Sequence, residues 1–219
     1  MKTAFAAGLL TLAGAAAVLG GWTTSATTSS SATTSATTTG AQRADTVTYD
    51  VDPVHSNVIF KIRHAGVSNF YGQFQKFTGE VQFDKADFTA SAVSFEIDID
   101  SVDTDNAKRD DHLRGADFFN ARQYPKATFK STSIVDNADG TYSMTGDMTL
   151  YGQTKPISAR VTDLSTGMMR GKPTLGLEAT FQIKRSDWGM TKYLADNGSE
   201  DGPLGNTVSV IVAIEAQGE

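Results

Sequence analysis

From residue 46 onward the chain interleaves apolar and polar side chains with a period of two, and this period limits the fold more than any other feature. Val58, Phe60 and Ile62 are separated by Ile59 and Lys61, and Val93, Phe95, Ile97 and Ile99 by Ser94, Glu96 and Asp98. Leu175, Leu177, Ala179, Phe181 and Ile183 repeat the pattern, as do Val208, Val210, Val212 and Ile214. Successive side chains of a strand point to opposite faces, so each run reads as a strand with one buried face and one wet face. Residues 127–135, 142–150 and 157–161 are further strand candidates. The domain is therefore expected to be all-β.

Turn chemistry joins neighbouring runs. Asp139-Gly140 and Tyr151-Gly152-Gln153 fall between strand candidates and suit antiparallel hairpins. Between Phe74 and Phe77 the apolar phase slips by one, which a bulge or bend around 76–79 explains. One segment, 105–120, abandons the alternation and predicts a short helix. Asp103, Thr104 or Asp105 would serve as its N-cap, with Leu113 on one face and Lys108, Arg109 and Arg114 solvated. Hairpin-linked strands with one-sided apolarity form a sandwich or a closed barrel, and about eight strands enclose room for one small ligand. Alternation alone does not separate a hollow barrel from a filled one.

The first 45 residues belong to a different class of sequence. Lys2 precedes an uncharged stretch, and residues 1–22 read as an export signal. Its apolar part, 4–19, spans 16 residues, short of the roughly 20 that a membrane-spanning helix needs. Cleavage is favoured, with an uncleaved anchor as the alternative. Residues 23–45 are a Ser/Thr/Ala-rich spacer that cannot offset the entropy of ordering, and a glycosylated stalk is the competing reading. The folded domain is then 46–219, and its expected location is the periplasm or the exterior. The absence of cysteine removes disulfide scaffolds and thiol catalysis, and a net charge of −6 argues against nucleic acid as partner.

Several blocks carry a family resemblance. His55-Ser56-Asn57-Val58-Ile59-Phe60 is followed by His64-Ala65-Gly66-Val67-Ser68 and Gly72-Gln73-Phe74. Ser101-Val102-Asp103-Thr104 leads to Arg109-Asp110-Asp111-His112-Leu113-Arg114, Asp117-Phe118-Phe119-Asn120 and Tyr124-Pro125. Gly146-Asp147-Met148-Thr149-Leu150-Tyr151-Gly152, Thr154-Lys155-Pro156 and Arg185-Ser186-Asp187-Trp188-Gly189-Met190 complete the set. In order and spacing, residues 49–215 resemble the YceI-like family of polyisoprenoid-binding proteins. The resemblance implies a lipocalin-like antiparallel β-barrel, often periplasmic, enclosing a long apolar ligand such as an isoprenoid chain; a fatty amphiphile fits the family equally well.

Such a ligand needs a dry apolar site with polarity confined to the mouth. The inward-phase candidates for its tail are Phe60, Phe95, Ile97, Phe129, Met144, Met148, Leu150, Leu177, Phe181 and Val210. Trp188 would flank the mouth or else plug one end as core. Arg109, His112, Arg114 and Arg185 are the cations that could meet an anionic head group, although Arg109 and Arg114 could equally pair with Asp110, Asp111 or Asp117. The expected protein is a non-enzymatic carrier without cofactor, compatible with transient membrane contact and with a homodimer. A ligand-free barrel serving as a cell-envelope interaction module is the alternative.

Catalytic and metal readings are weaker. His55 and His64 are nine residues apart, which puts them on opposite faces of an unbroken strand, and no metalloprotease spacing is present. His55 likewise cannot serve Ser56 as base from an adjacent strand position, and no nucleophile elbow exists. The oxygen-rich stretch 196–202 lacks the ligand order of a calcium loop.

Overall fold

The computed structural model describes residues 46–218. The expected export signal and the whole of the spacer lie outside the described residues. The strands in chain order are β1 (Thr46–Val51), β2 (Asn57–His64), β3 (Ser68–Phe74), β4 (Phe77–Asp84), β5 (Ala92–Asp98) and β6 (Val102–Asp103). After helix α1 (Ala107–Arg114) come β7 (Lys126–Asp136), β8 (Tyr142–Leu150), β9 (Gln153–Met169), β10 (Lys172–Lys184) and β11 (Leu204–Gly218). All pairings are antiparallel.

The wall closes through β11. Its C-terminal end pairs with β1 (Tyr49↔Gly218), its middle with β2 (Val58↔Val212), and its other edge with β10 along most of its length. β1 and β2 therefore form one long stave broken at 52–56. β3 and β4 form a second, broken at Gln75 and Lys76, and β5 and β6 a third, broken by a 3₁₀ turn at Ile99–Ser101. With β7 to β11 these make an eight-stave meander barrel with one α-helix among the described residues, as the resemblance implies and as one of the two architectures that the alternation left open.

The three breaks lie side by side and bend one flank of the wall. Serine hydroxyls fill the ladder there. Ser56 Oγ accepts from Glu215 N at 3.0 Å and donates to Glu215 O at 3.2 Å, so a side chain takes the place of a missing backbone partner. Ser101 Oγ accepts from Lys76 N at 3.0 Å and donates to Asp98 O at 2.6 Å. The phase slip read between Phe74 and Phe77 is the second of these breaks. It falls one residue earlier than expected.

Two other expectations need correction. The helix is shorter than 105–120, and its N-cap is Asn106, whose side chain accepts from Arg109 N at 3.0 Å. Asp103 and Thr104 belong instead to the preceding strand and turn, because their side chains hold Asp105 N and Asp110 Oδ1. His55 is not on a strand at all. It sits in the 52–56 break, so the strand-parity argument that separated it from His64 does not apply.

The interior is divided into two tiers. Tyr49, Phe83, Phe88 and Tyr142 stack edge to face or tilted at 4.9–6.0 Å and, with Val81, Val161 and Leu175, fill one end solidly. The other end is hollow.

Replacing Ser56 by Ala leaves the N–H of Glu215 without an acceptor, while its carbonyl keeps the N–H of Asp52 at 2.8 Å. The expected loss is about 1–3 kcal/mol of unfolding free energy, read by urea denaturation with an unchanged m-value.

Candidate functional site

Above the packed end the barrel encloses a cavity of about 630 Å³ with an overwhelmingly apolar lining. It lies within the range of small-molecule sites and is far larger than the voids of a close-packed core. Small side chains at Ala127, Ala159 and Ala179 are one cause, since each occupies an inward position where a larger residue would close the space.

Glycine supplies the second cause. Gly72, Gly79 and Gly146 interrupt otherwise apolar inward runs, and a Cβ at each would come within 3.0 Å of the ring of Phe60, Phe95 and Phe129 respectively. Phe60 is directly opposite Gly72 across the ladder, and Phe95 directly opposite Gly79. These three rings lie against the wall, over neighbouring strands that have no side chain there, and leave the middle of the barrel free.

All the sequence-predicted tail residues except Trp188 line this space: Phe60, Phe95, Ile97, Phe129, Met144, Met148, Leu150, Leu177, Phe181 and Val210. Trp188 does not. It lies in the 3₁₀ turn Arg185–Trp188 at the end of β10, only 2% exposed, and packs in one cluster with Met190 and Leu150, which do line the cavity, so it supports the lining as core without reaching the lumen. Sequence reasoning passed over the aromatic rim made by Phe70, Phe74, Phe118, Phe119 and Tyr193. Phe118 and Phe119 follow a helix and carry no period, and Phe70 and Phe74 sit in a strand whose alternation is interrupted by Gly72.

Polar groups gather at one end, between the β2–β3 hairpin, the α1 segment and the loop 189–203. His64, Ser68, Arg109, His112, Arg185 and Tyr193 line the cavity there. Arg114, grouped with them by sequence, is not among the lining residues; it pairs with Asp111 at 3.1 Å, a partner the Arg–Asp alternative named, and with Asp100 at 3.7 Å, which it did not.

Arg185 is 4% exposed and donates to four carbonyls: Gly205 at 2.7 Å, Met190 at 3.2 Å, Lys192 at 2.9 Å and Leu204 at 3.0 Å. Burial pushes its pKa down to about 10, against the attraction of Glu200. It is thereby the clasp of the loop 189–203. Glu200 reinforces it by accepting from Asn206 N and from Thr207 N and Oγ1. The loop reaches the α1 segment through Lys192 Nζ, 3.0 Å from Asp117 Oδ2, with His112 Nε2 at 3.5 Å from the same oxygen. Lys192, then His112, hold the Asp117 carboxyl below its ordinary range, and Asp117 raises Lys192.

Among the described residues one group has metal-ligand chemistry, Asp52, His55 and Glu215, with ligand atoms within 4.8 Å of one another. Glu215 alternates with the inward Ile214 and Ala216, so the group sits on the outer wall at the strand break. His55 Nδ1 is 2.8 Å from Asp52 Oδ2; this bond raises the His55 pKa and lowers that of Asp52.

An antiparallel eight-stave barrel closed at one end, hollow at the other and ringed by polar side chains at its mouth defines a lipocalin-like container. The chain belongs to the YceI-like domain family, whose model matches residues 49–216. It is 40% identical over 177 residues to a UPF0312 protein of Ectopseudomonas mendocina, covering 80% of this chain and 89% of that one. Burkholderia cenocepacia BcnA superposes with a TM-score of 0.64 at 25% identity, covering 75% of this chain and 98% of BcnA. A polyisoprenoid binding domain from Saccharophagus degradans shares the fold with a TM-score of 0.58 at 16% identity, covering 79% of this chain and 99% of that domain.

Two outcomes are expected. Arg185→Met orphans four carbonyls at the loop base and should cost about 3 kcal/mol, with loss of hydrogen-exchange protection in 189–205 preceding global unfolding. Gly146→Ala sets a methyl against the Phe129 ring and the Lys130 carbonyl; it should cost about 1–3 kcal/mol in urea denaturation and turn the ring into the lumen in a crystal structure.

Proposed function

We propose that this chain is an exported, non-enzymatic carrier of a long amphiphile, an isoprenoid or fatty chain held with its tail in the barrel and its head at the mouth. The observation that carries this reading is the hollow tier: a cavity of about 630 Å³ whose apolar lining ends in a single polar rim. A dry space of this size is unfavourable to leave unfilled, because its wall forgoes dispersion contacts that a packed core would make. A long hydrocarbon restores those contacts without needing any hydrogen bond from the wall.

The family and the fold shared with a polyisoprenoid binding domain support the same class of ligand. Export to the periplasm or beyond is part of the proposal and rests on the sequence of residues 1–22. Loading from a membrane would involve transient contact of the mouth with lipid. The ligand-free interaction module is the poorer reading, since surface recognition alone has no use for an open interior.

Native mass spectrometry of protein purified without detergent, followed by solvent extraction and lipid identification, tests the proposal. A stoichiometric apolar adduct is expected. Ala159→Phe, which fills the lumen from the inner wall, should abolish the adduct while the protein remains folded. An apo mass that stays unchanged after exposure to isoprenoid alcohols, quinones and fatty acids would sink the carrier reading.

A further inference from the structure

The cations at the mouth are not equivalent. Arg185 is committed to four carbonyls, Lys192 is paired with Asp117, and His112 lies against the same carboxylate. Among the described residues, Arg109 is the one arginine or lysine lining the mouth that keeps unused N–H groups. Its Nε donates to Thr104 Oγ1 at 2.8 Å and one Nη2 hydrogen goes to Thr104 O at 2.6 Å. Of its five N–H groups, both at Nη1 and one at Nη2 have no protein acceptor among the described residues.

The guanidinium is also held in place. Its carbon sits 4.2 Å above the centroid of Phe70, an aromatic residue of the cavity rim. Thr104 Oγ1, which receives Nε, donates in turn to buried Asp110, and Asp110 Oδ1 also accepts from Thr104 N at 2.9 Å. The side chain is thus fixed from behind and from one face, and this exposed residue is among those that line the lumen. Among the described residues no Asp or Glu lines the cavity to compete for those N–H groups.

We infer that Arg109 is the head-group clamp of the lumen, and that this barrel prefers a singly charged head, a long-chain carboxylic acid, over an alcohol, an amide or a diphosphate. The inference rests on the carrier reading of the barrel. A planar fork with free N–H groups on adjacent nitrogens matches the two oxygens of a carboxylate. An uncharged head makes only neutral-acceptor bonds with the cation, and a diphosphate brings more negative charge than one guanidinium can match, since Arg185 and Lys192 are already engaged. Phe70 and Arg109 therefore act as a specificity element above a tail site that is indifferent to the head.

Equilibrium competition at pH 8 among palmitate, hexadecan-1-ol, hexadecanamide and farnesyl diphosphate, read by native mass spectrometry, tests the clamp. Palmitate should bind about ten-fold or more tighter than the other three, the size expected for a hydrogen bond gained between charged partners. Arg109→Gln should lower palmitate affinity by about that factor and hexadecan-1-ol affinity by much less, with circular dichroism and the unfolding midpoint reporting that the variant is folded. Arg109→Lys, which keeps the charge but not the fork, should retain only part of the preference. Equal binding of all heads, a preference that survives Arg109→Gln, or tighter binding of the diphosphate would each overturn the clamp while the carrier reading stands. Failure of all four probes to bind overturns the carrier reading itself, and the clamp falls with it.

Discussion

The pairing of β11 with three strands is what everything else in the molecule rests on. A sheet with one apolar face cannot leave that face in water, and a single domain without a second sheet can hide it only by curling the sheet onto itself. β11 does this with fifteen residues, holding β10 on one edge and β1 and β2 in succession on the other. The wall it meets is bent, so β1 and β2 keep register with one continuous strand only because five residues are looped out between them. Ser56 carries the ladder across that gap.

Closure fixes the inward face but not what fills it. In the lower tier, large side chains meet across the barrel and make an ordinary core. In the upper tier, alanines and wall-hugging phenylalanines hold the same backbone geometry with nothing at the centre. The difference is a matter of a few side chains. Phe60, Phe95 and Phe129 would reach the middle if their cross-strand neighbours had side chains, and glycine at 72, 79 and 146 lets them lie flat. The rigid lower tier is what allows the upper one to remain open, because the register of each stave is already set before it reaches the lumen.

Much of this was legible in the sequence, and the reasons for the remainder are specific. Period-two runs such as Val93 to Ile99 and Leu175 to Ile183 located the strands and their inward sides, because a half-buried strand enforces alternation. Residues 162–169 of β9 were not read as strand. They project beyond β8 and pair only with β10, so neither face is fully buried and no alternation is imposed. Hollowness was also invisible, since an inward Phe looks the same whether its ring points to the centre or lies over a glycine. The glycines themselves were the available signal. For the mouth, residue type identified the cations but not their commitments. Arg185 and Arg109 look alike in sequence, and only the carbonyls of a loop folding back twenty residues later distinguish a clasp from a group with free donors.

On the carrier reading proposed above, the hollow tier links loading to folding stability. An apolar chain in the lumen completes a core that is otherwise half built, and a ligand held only by the native state at about one hundred times its dissociation constant raises unfolding free energy by about 2.7 kcal/mol. Empty copies therefore open more often than loaded ones and are the copies that a protease meets first. On that proposed reading the barrel carries its own quality control: what fills it sets how long the protein lasts.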